Sequence, residues 1–269
     1  MKWVKYERDG AIVTITMNRP ERLNAWGVET SRDIGEAFQQ YDDDDEARVA
    51  ILCGAGRSFC AGGDAKDYKA RQAPWSHSPQ DEMGIFGRGR LLKPVIGAIQ
   101  GHCLGAGLLL IAMRCDIRIA ADNAQFGLPE AAVGIVNCEV GISNQSIPLC
   151  ALMEMTMTAD PIDAHRACAL GMVNKVVPAS ELMAESRKMA ERIAKNSPTA
   201  IRLSKQILLK TEWISWRHLS LRSGEREGRL LLPHDLGHLG LSHLGQLPSV
   251  WRRLLDQAGS LHLIESAGE

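Results

Sequence analysis

Near its middle the chain reads Ala124-Gln125-Phe126-Gly127-Leu128-Pro129-Glu130, a short segment that contains glycine and proline and ends in a single carboxylate. Upstream lies Gly105-Ala106-Gly107, a turn of small residues that opens an apolar helix, and earlier still comes a second small turn, Ala61-Gly62-Gly63-Asp64. Small residues allow a backbone N–H group to approach a ligand closely. Two converging N–H groups and one carboxylate are sufficient to form an enolate and to protonate it again. Glu130 is therefore a candidate general base beside a candidate oxyanion site.

Buried strands alternate with helices on both sides of these turns. Apolar runs and period-2 alternation predict strands at Ala11–Met17, Val49–Leu52, Val95–Ile99, Cys115–Ala120 and Met172–Val177. Helical spacing predicts helices at Val28–Tyr41, from the Gly101–Gly107 turn to about Arg114, and at Asp163–Leu170, Ser180–Lys195 and Pro198–Leu209. This alternation predicts an α/β fold.

Composition argues against several classes of protein. The 269 residues are 45% hydrophobic, and 31 basic residues balance 32 acidic ones, so the net charge of −1 argues against nucleic acid or a charged membrane surface as a partner. The apolar stretch Leu108–Met113 is too short to span a membrane. The N-terminus lacks the apolar segment of a signal peptide, and seven cysteines without paired spacing fit a reducing compartment. We therefore expect a cytoplasmic protein.

Five motifs together resemble those of the crotonase family, also called the enoyl-CoA hydratase/isomerase superfamily. They follow the family's order and spacing over roughly residues 3–210, and they read Asn18-Arg19-Pro20-Glu21-Arg22-Leu23-Asn24-Ala25, Ser58-Phe59-Cys60-Ala61-Gly62-Gly63-Asp64, Gly101-His102-Cys103-Leu104-Gly105-Ala106-Gly107, Phe126-Gly127-Leu128-Pro129-Glu130 and Leu170-Gly171-Met172-Val173-Asn174. Each motif alone is a weak signal, whereas the set of five is specific.

The resemblance implies a fold and an oligomeric state. Members of the family fold as a spiral of ββα units, here expected at residues 1–200. A helical oligomerisation region follows the spiral, here expected at residues 201–269, and it builds trimers that often pair into hexamers. We therefore expect a homotrimer or a hexamer.

The resemblance also implies a substrate and the residues that hold it. Family members act on acyl-CoA thioesters, so coenzyme A is expected as part of the substrate, with no permanently bound cofactor. By position, the N–H groups of Gly63 and Ala106 would bind the thioester oxygen, and Glu130 would be the general acid and base. Coenzyme A would lie against a loop and a turn whose residues are Leu23, Asn24, Ala25, Ala61, Gly62 and Asp64.

The chain departs from the family pattern where typical hydratases carry a second glutamate. That position falls on Leu109 when it is counted from the glycines, and on Leu110 when it is counted from Cys115-Asp116. Leucine can neither hold nor deprotonate water, which favours single-glutamate chemistry such as double-bond isomerisation. Glu139 is a candidate replacement, with a solvent-facing side chain as the alternative. Cys138 is a weaker candidate nucleophile, because no histidine lies near it in the sequence.

Other polar groups carry smaller expectations. His234, His238 and His243 lie among glycines and a proline that argue against a regular helix, and no further ligand completes a site of known spacing, so we expect no metal. Asp64 is expected to cap a following helix, and His102 to be structural. After about residue 226 the chain lacks the family's usual ending. A divergent tail and a shifted reading frame remain open alternatives for that segment.

The prediction from the sequence is an acyl-CoA-processing enzyme that performs acid–base chemistry on an enoyl-CoA, either as an enoyl-CoA hydratase (a lyase) or as an enoyl-CoA isomerase. A thioester hydrolase or a decarboxylase of the same fold is the alternative among enzymes. A non-catalytic acyl-CoA-binding protein is the alternative from another class, since the second carboxylate and the usual tail are missing. The retained Glu130 argues against that alternative.

Overall fold

The computed structural model describes residues 1–64, 91–134 and 147–220, with the backbone alone at residues 112, 113 and 210–220. The strands in these ranges are β1 (Val4–Asp9), β2 (Ile12–Met17), β3 (Val49–Gly54), β4 (Val95–Ile99), β5 (His102–Leu104), β6 (Ile117–Ala121), β7 (Gln125–Gly127), β8 (Ile162–Asp163) and β9 (Lys175–Val177). The α-helices are α1 (Val28–Asp43), α2 (Ala106–Arg114), α3 (Leu149–Thr158), α4 (Ala164–Ala169), α5 (Leu182–Ala194) and α6 (Pro198–Ser220). Short 3₁₀ helices span Pro20–Arg22, Pro129–Val133 and Ala179–Glu181.

Six strands form the main sheet, in the order β1-β2-β3-β4-β6-β9. The β1–β2 hairpin is antiparallel and turns at Gly10, whose φ is 59°, whereas the remaining neighbours are parallel. Parallel neighbours require crossover connections, which is why helices separate these strands in the sequence. A smaller sheet joins β5, β7 and β8, with β5 and β7 parallel. The small-residue turn directly follows β5, and the Phe-Gly-Leu-Pro segment begins at the end of β7.

The central strands β3 and β4 are buried along their whole length, so they read as continuous apolar runs. Side chains alternate between the two faces of the sheet. On β3, Ala50 and Leu52 join a core cluster with α1 and α2, whereas Val49 and Ile51 join a second cluster against α5. Helices therefore cover both faces, and the predicted α/β fold is confirmed.

Two predicted strands begin later in the structure than the sequence indicated. The Cys115 N–H donates to the Ile111 carbonyl at 3.1 Å, and the Met172 N–H donates to the Ala167 carbonyl at 2.9 Å. Both residues thus close the C-terminus of a helix, and β6 and β9 begin only after these caps. The hydrogen-bonding demand of a helix end overrides the apolar pattern at these positions.

The shortest elements were not predicted. The Gly101–Gly107 segment is more than a turn, because it contains β5, and β5, β7 and β8 are only two or three residues long. Strands of that length carry no measurable periodicity. Helix α3 was also missed, and α6 continues from the predicted end at Leu209 to Ser220.

The chain divides into two compact units, Met1–Ile214 and Ser215–Glu269. Both sheets belong to the first unit, and of the second unit the helical backbone to Ser220 is described. The domain division drawn from the sequence, at residues 1–200 and 201–269, stays a prediction. Across the described ranges, no helix has both the length and the apolar character needed to cross a membrane.

Candidate active site

Glu130 reaches its position through the pairing of β7 with β5. Gly127 lies opposite Leu104 in this parallel pair, and the Gly127 carbonyl accepts the N–H of Gly105 at 2.9 Å. Pro129 then begins a 3₁₀ helix, a position that suits proline because no helical N–H partner is lost there. Glu130 follows at once. The carboxylate and the small-residue turn are therefore joined through one sheet.

The Glu130 carboxylate lies against Gly105 in space. A β-carbon on Gly105 would clash with Oε1 of Glu130 and would stand 3.7 Å from the Cα of Gly62. A side chain on Gly105 would therefore displace the Glu130 carboxylate, and the φ of 47° at Gly105 also favours glycine. Glu130 is partly buried at the beginning of α2 as a result.

Ala106 is the first residue of α2, with Gly105 as the residue before it. The first N–H groups of a helix have no partner within the helix, and here the Leu109 N–H donates to the Gly105 carbonyl at 3.0 Å. The Ala106 N–H therefore stands at the end of the helix where the dipole favours negative charge.

The segment that leads into the earlier glycine turn runs alongside β5. The Cys60 N–H donates to the His102 carbonyl at 2.9 Å, and the Leu104 N–H donates to the Cys60 carbonyl at 3.0 Å. Gly62 follows with a φ of 99°, and a β-carbon there would lie 3.3 Å from the Leu104 carbonyl oxygen. The two glycine turns therefore meet at the end of β5.

Trp26 sets the direction of the Gly63 N–H group. The Trp26 N–H donates to the Gly62 carbonyl at 2.7 Å, and the Trp26 carbonyl accepts the Asp64 N–H at 2.8 Å. The Gly62 carbonyl and the Gly63 N–H belong to one trans peptide group, so they point in opposite directions. The Gly63 N–H is consequently directed away from Trp26.

The predicted coenzyme A loop is hydrogen-bonded to the glycine turn. The Ala61 N–H donates to the Leu23 carbonyl at 3.0 Å, and the Ala25 N–H donates to the Arg22 carbonyl at 3.0 Å. Leu23 and Asn24 both adopt left-handed backbone angles, with φ of 51° and 55°. This loop and the Ala61–Asp64 turn are thus one hydrogen-bonded unit.

The side chain of Asn24 is completely buried, and its hydrogen bonds hold this loop in place. Its Oδ1 accepts the Arg19 N–H at 2.8 Å, and its Nδ2 donates to the carbonyls of Ala55 at 2.9 Å and Ser58 at 2.8 Å. Asparagine also tolerates the left-handed conformation better than most residues. The amide of Asn24 therefore fixes the loop from within.

Asp64 makes a buried ion pair. Its carboxylate is 5% exposed and lies 2.9 Å from Nη1 of Arg19, a residue that the sequence reasoning quoted in a motif but gave no role. Charge and spacing gave no signal for this pairing, because 45 positions of chain separate the two residues. The helix that Asp64 was expected to cap would lie outside the described residues.

Leucine fills both positions at which a second glutamate was sought. Leu109 is 4% exposed and Leu110 is fully buried, and both belong to the hydrophobic core. Residues four apart lie on the same face of a helix. Leu109 therefore lies on the same face of α2 as Gly105, the residue that the Glu130 carboxylate contacts. Neither position supplies a carboxylate to this end of α2.

The cysteines beside the site are poor nucleophiles. Burial raises the pKa of the Cys60 thiol to about 12, and burial also raises the pKa of the Cys103 thiol well above its ordinary value. Both side chains are completely buried. A protonated thiol is neither a nucleophile nor a metal ligand, so these residues serve as small core side chains.

A family model described as enoyl-CoA hydratase/isomerase matches residues 7–214. The chain belongs to the enoyl-CoA hydratase/isomerase family. It is an acyl-CoA-processing enzyme of that family, and its substrates are acyl-CoA thioesters. The resemblance carried by the five sequence motifs is confirmed.

Curated relatives of this enoyl-CoA hydratase/isomerase family member are similar over most of its length. It is 38% identical over 211 residues to the short-chain-enoyl-CoA hydratase of Clostridium acetobutylicum, which covers 75% of this chain and 79% of the relative. It is also 38% identical over 215 residues to the carnitinyl-CoA dehydratase of Proteus mirabilis, which covers 77% of this chain and 80% of the relative.

Solved structures of the family are similar in fold. An enoyl-CoA hydratase/carnithine racemase from Magnetospirillum magneticum superimposes with a TM-score of 0.72 at 31% identity, covering 79% of this chain and 82% of that one. A probable enoyl-CoA hydratase from Mycobacterium smegmatis gives a TM-score of 0.72 at 30% identity, covering 83% and 91%. The crotonase-like architecture is therefore confirmed.

Several residues singled out in the sequence of this family member lie outside the described ranges, namely Cys138, Glu139, His234, His238 and His243. His102 is described, and its carbonyl is part of the pairing with Cys60. Among the residues whose placement is described, no group of three histidine, cysteine, aspartate or glutamate side chains is arranged to hold a metal ion.

Proposed function

We propose that this family member adds water reversibly to a 2-enoyl-CoA, with Glu130 as the general acid and base and the N–H groups of Gly63 and Ala106 as oxyanion donors. The observation that carries the proposal is the contact of the Glu130 Oε1 atom with Gly105, one residue before Ala106. This contact places a carboxylate at the N-terminus of α2, and the Gly62-Gly63 turn lies beside the same glycine.

The reaction then needs one carboxylate in two successive steps. Glu130 takes a proton from water as the water oxygen bonds to C3 of the enoyl group, and the displaced electron pair moves to the thioester oxygen. Gly63 and Ala106 would stabilise that oxygen, and Glu130 then returns its proton to C2. General base catalysis of this kind contributes about 10²–10⁴-fold, and one oxyanion donor contributes about 10²–10³-fold.

We propose that the enzyme has no resident cofactor and that coenzyme A takes part only as a portion of the acyl-CoA substrate. The proposed contacts are those predicted from the sequence, at Leu23, Asn24, Ala25, Ala61, Gly62 and Asp64. The hydrogen-bonded unit of loop and turn supports them, because its backbone ends beside the donors proposed for the thioester oxygen. Buried side chains in this unit, such as Asn24, would act through the backbone that they hold.

Double-bond isomerisation from a 3-enoyl-CoA to a 2-enoyl-CoA is the second candidate. Leu109 and Leu110 favour it, because a shift of the double bond needs no water and one base suffices to move the proton. The names of the relatives, a short-chain-enoyl-CoA hydratase and a carnitinyl-CoA dehydratase, support water addition and elimination instead. We therefore place hydration first.

Product analysis distinguishes these reactions. The wild-type enzyme is incubated with crotonyl-CoA and with 3-hexenoyl-CoA in D₂O, and the acyl products are measured by mass spectrometry. Hydrated crotonyl-CoA supports the hydratase. A shifted double bond with deuterium uptake and no added water supports the isomerase. Free coenzyme A would identify a hydrolase, and tight binding without any product would identify an acyl-CoA-binding protein.

We also propose that the chain forms a homotrimer or a hexamer and works in the cytoplasm. The family resemblance supports the assembly, and the composition supports the compartment. Light scattering coupled to size exclusion would give a mass of three or six times the 29.5 kDa chain. A monomeric mass would contradict the assembly.

A further inference from the structure

We infer that Arg19 is a positioning residue, which acts with Trp26 to fix the direction of the Gly63 N–H group by holding the carboxylate of Asp64. This inference rests on the proposed role of Gly63 as an oxyanion donor. Asp64 follows Gly63 directly, and Nη1 of Arg19 lies 2.9 Å from Oδ2 of Asp64.

The glycine turn depends on contacts with other segments, because its own backbone is flexible. Gly62 and Gly63 have no β-carbon, so many backbone conformations are open to them. On one side, the Trp26 N–H holds the Gly62 carbonyl. On the other side, the Asp64 N–H donates to the Trp26 carbonyl, and the Asp64 carboxylate lies against Arg19. Loss of the Arg19 contact would therefore weaken the support on this side of the Gly63 peptide.

The guanidinium of Arg19 is itself held in place. It lies 5.1 Å from the centre of the Trp3 ring, which it faces as a cation over an aromatic surface. The Trp3 N–H donates to Oδ2 of Asp33 at 2.7 Å, and the Trp3 carbonyl accepts the Asn18 N–H at 2.8 Å. The cation is thus fixed by the N-terminal segment and the end of β2.

Burial shields the Arg19–Asp64 pair from water. The side chains are 15% and 5% exposed, so water does not compete strongly for either charge. Opposite charges at this short range restrain the distance between the two groups, and lysine, whose ammonium is a single point charge on a different stem, would not reproduce the same contact. The Arg187–Asp9 pair offers a contrast, because its side chains are 47% and 75% exposed and lie at the surface.

The test replaces Arg19 with Gln and with Lys, and uses Arg187→Gln as the matched loss of an arginine. The probe is acetoacetyl-CoA, whose bound enolate is followed by its ultraviolet absorbance as the pH is raised. Oxyanion donors lower the pKa of this bound probe, so the measurement reads the donors without turnover. The kcat and KM for crotonyl-CoA and the melting temperature are measured on the same samples.

For Arg19→Gln we expect the pKa of the bound probe to rise by about one unit, equivalent to a tenfold loss of enolate stabilisation. The kcat should fall about 10-fold or more, toward the 10²–10³-fold of a lost donor, while KM changes by less than about threefold. Arg19→Lys should fall between Arg19→Gln and the wild type, and Arg187→Gln should match the wild type.

Other results overturn the role of Arg19. An unchanged probe pKa in Arg19→Gln would do so while leaving the oxyanion site intact. A rise in KM alone would assign Arg19 to substrate binding. A wild-type enzyme that leaves the probe pKa unchanged would overturn the proposed oxyanion site and this role with it. If Arg19→Gln fails to fold, the probe pKa of Arg19→Lys decides, since a wild-type value contradicts positioning.

Discussion

Oε1 of Glu130 occupies the space that a side chain on Gly105 would need, because a β-carbon there would clash with this oxygen. The two residues are 25 positions apart, and the pairing of β5 with β7 brings them together. The same glycine precedes the first helical N–H of α2. One close contact thus sets the distance between the proposed base and a proposed oxyanion donor.

Gly105→Ala is expected to displace the Glu130 carboxylate and to lower kcat by about 10²-fold, because a misplacement of about 1 Å has effects of that size. The unfavourable φ of 47° should lower the free energy of unfolding by about 1–3 kcal/mol as well. Steady-state kinetics and urea unfolding measure the two effects.

Gly171→Ala is the matched control for backbone strain. Gly171 also has a positive φ, of 76°, but no atom lies within 4 Å of a β-carbon added there. We expect a similar loss of stability with kcat unchanged. Equal activity in Gly105→Ala and Gly171→Ala would contradict the account of the Glu130 contact.

Asn24→Ala should destabilise the loop that supports the glycine turn. The change leaves the Arg19 N–H and the carbonyls of Ala55 and Ser58 without the partners that they have now. Buried groups left unpaired in this way lower the free energy of unfolding by about 2–4 kcal/mol in total. Gln39→Ala, which removes an exposed amide bonded to Asp43, should change it by less than about 0.5 kcal/mol. Urea unfolding that shows equal losses would refute the structural role of Asn24.

The reactivity of the cysteines should follow burial. The pKa of Cys60 is raised to about 12, so at pH 8 its thiol stays protonated and enclosed, whereas Cys150 is exposed. Iodoacetamide at pH 8, followed by peptide mass spectrometry, should label Cys150 in the native protein and Cys60 only after unfolding. Rapid native labelling of Cys60 would show that the segment beside β5 opens readily.

Much of the main sheet was predictable, since β3 and β4 are long apolar runs that the sequence shows directly. The smaller sheet was not, because strands such as β8 have too few residues to display a period. The candidate site was likewise predictable only in part. Glu130 was recognisable from its motif, whereas the Arg19–Asp64 pair depends on a tertiary contact that neither residue's neighbours reveal.

Turnover of crotonyl-CoA in D₂O by the wild type and by Glu130→Gln decides whether Glu130 is the general acid and base. Gln keeps the size of the side chain and removes its ability to accept a proton. The exposed Glu154 on α3, replaced by Gln, controls for the loss of a carboxylate. We expect wild type and Glu154→Gln to give product with deuterium at C2, and Glu130→Gln to lose about 10²–10⁴-fold of kcat with an unchanged melting temperature. Turnover by Glu130→Gln within about twofold of the wild type would contradict the mechanism.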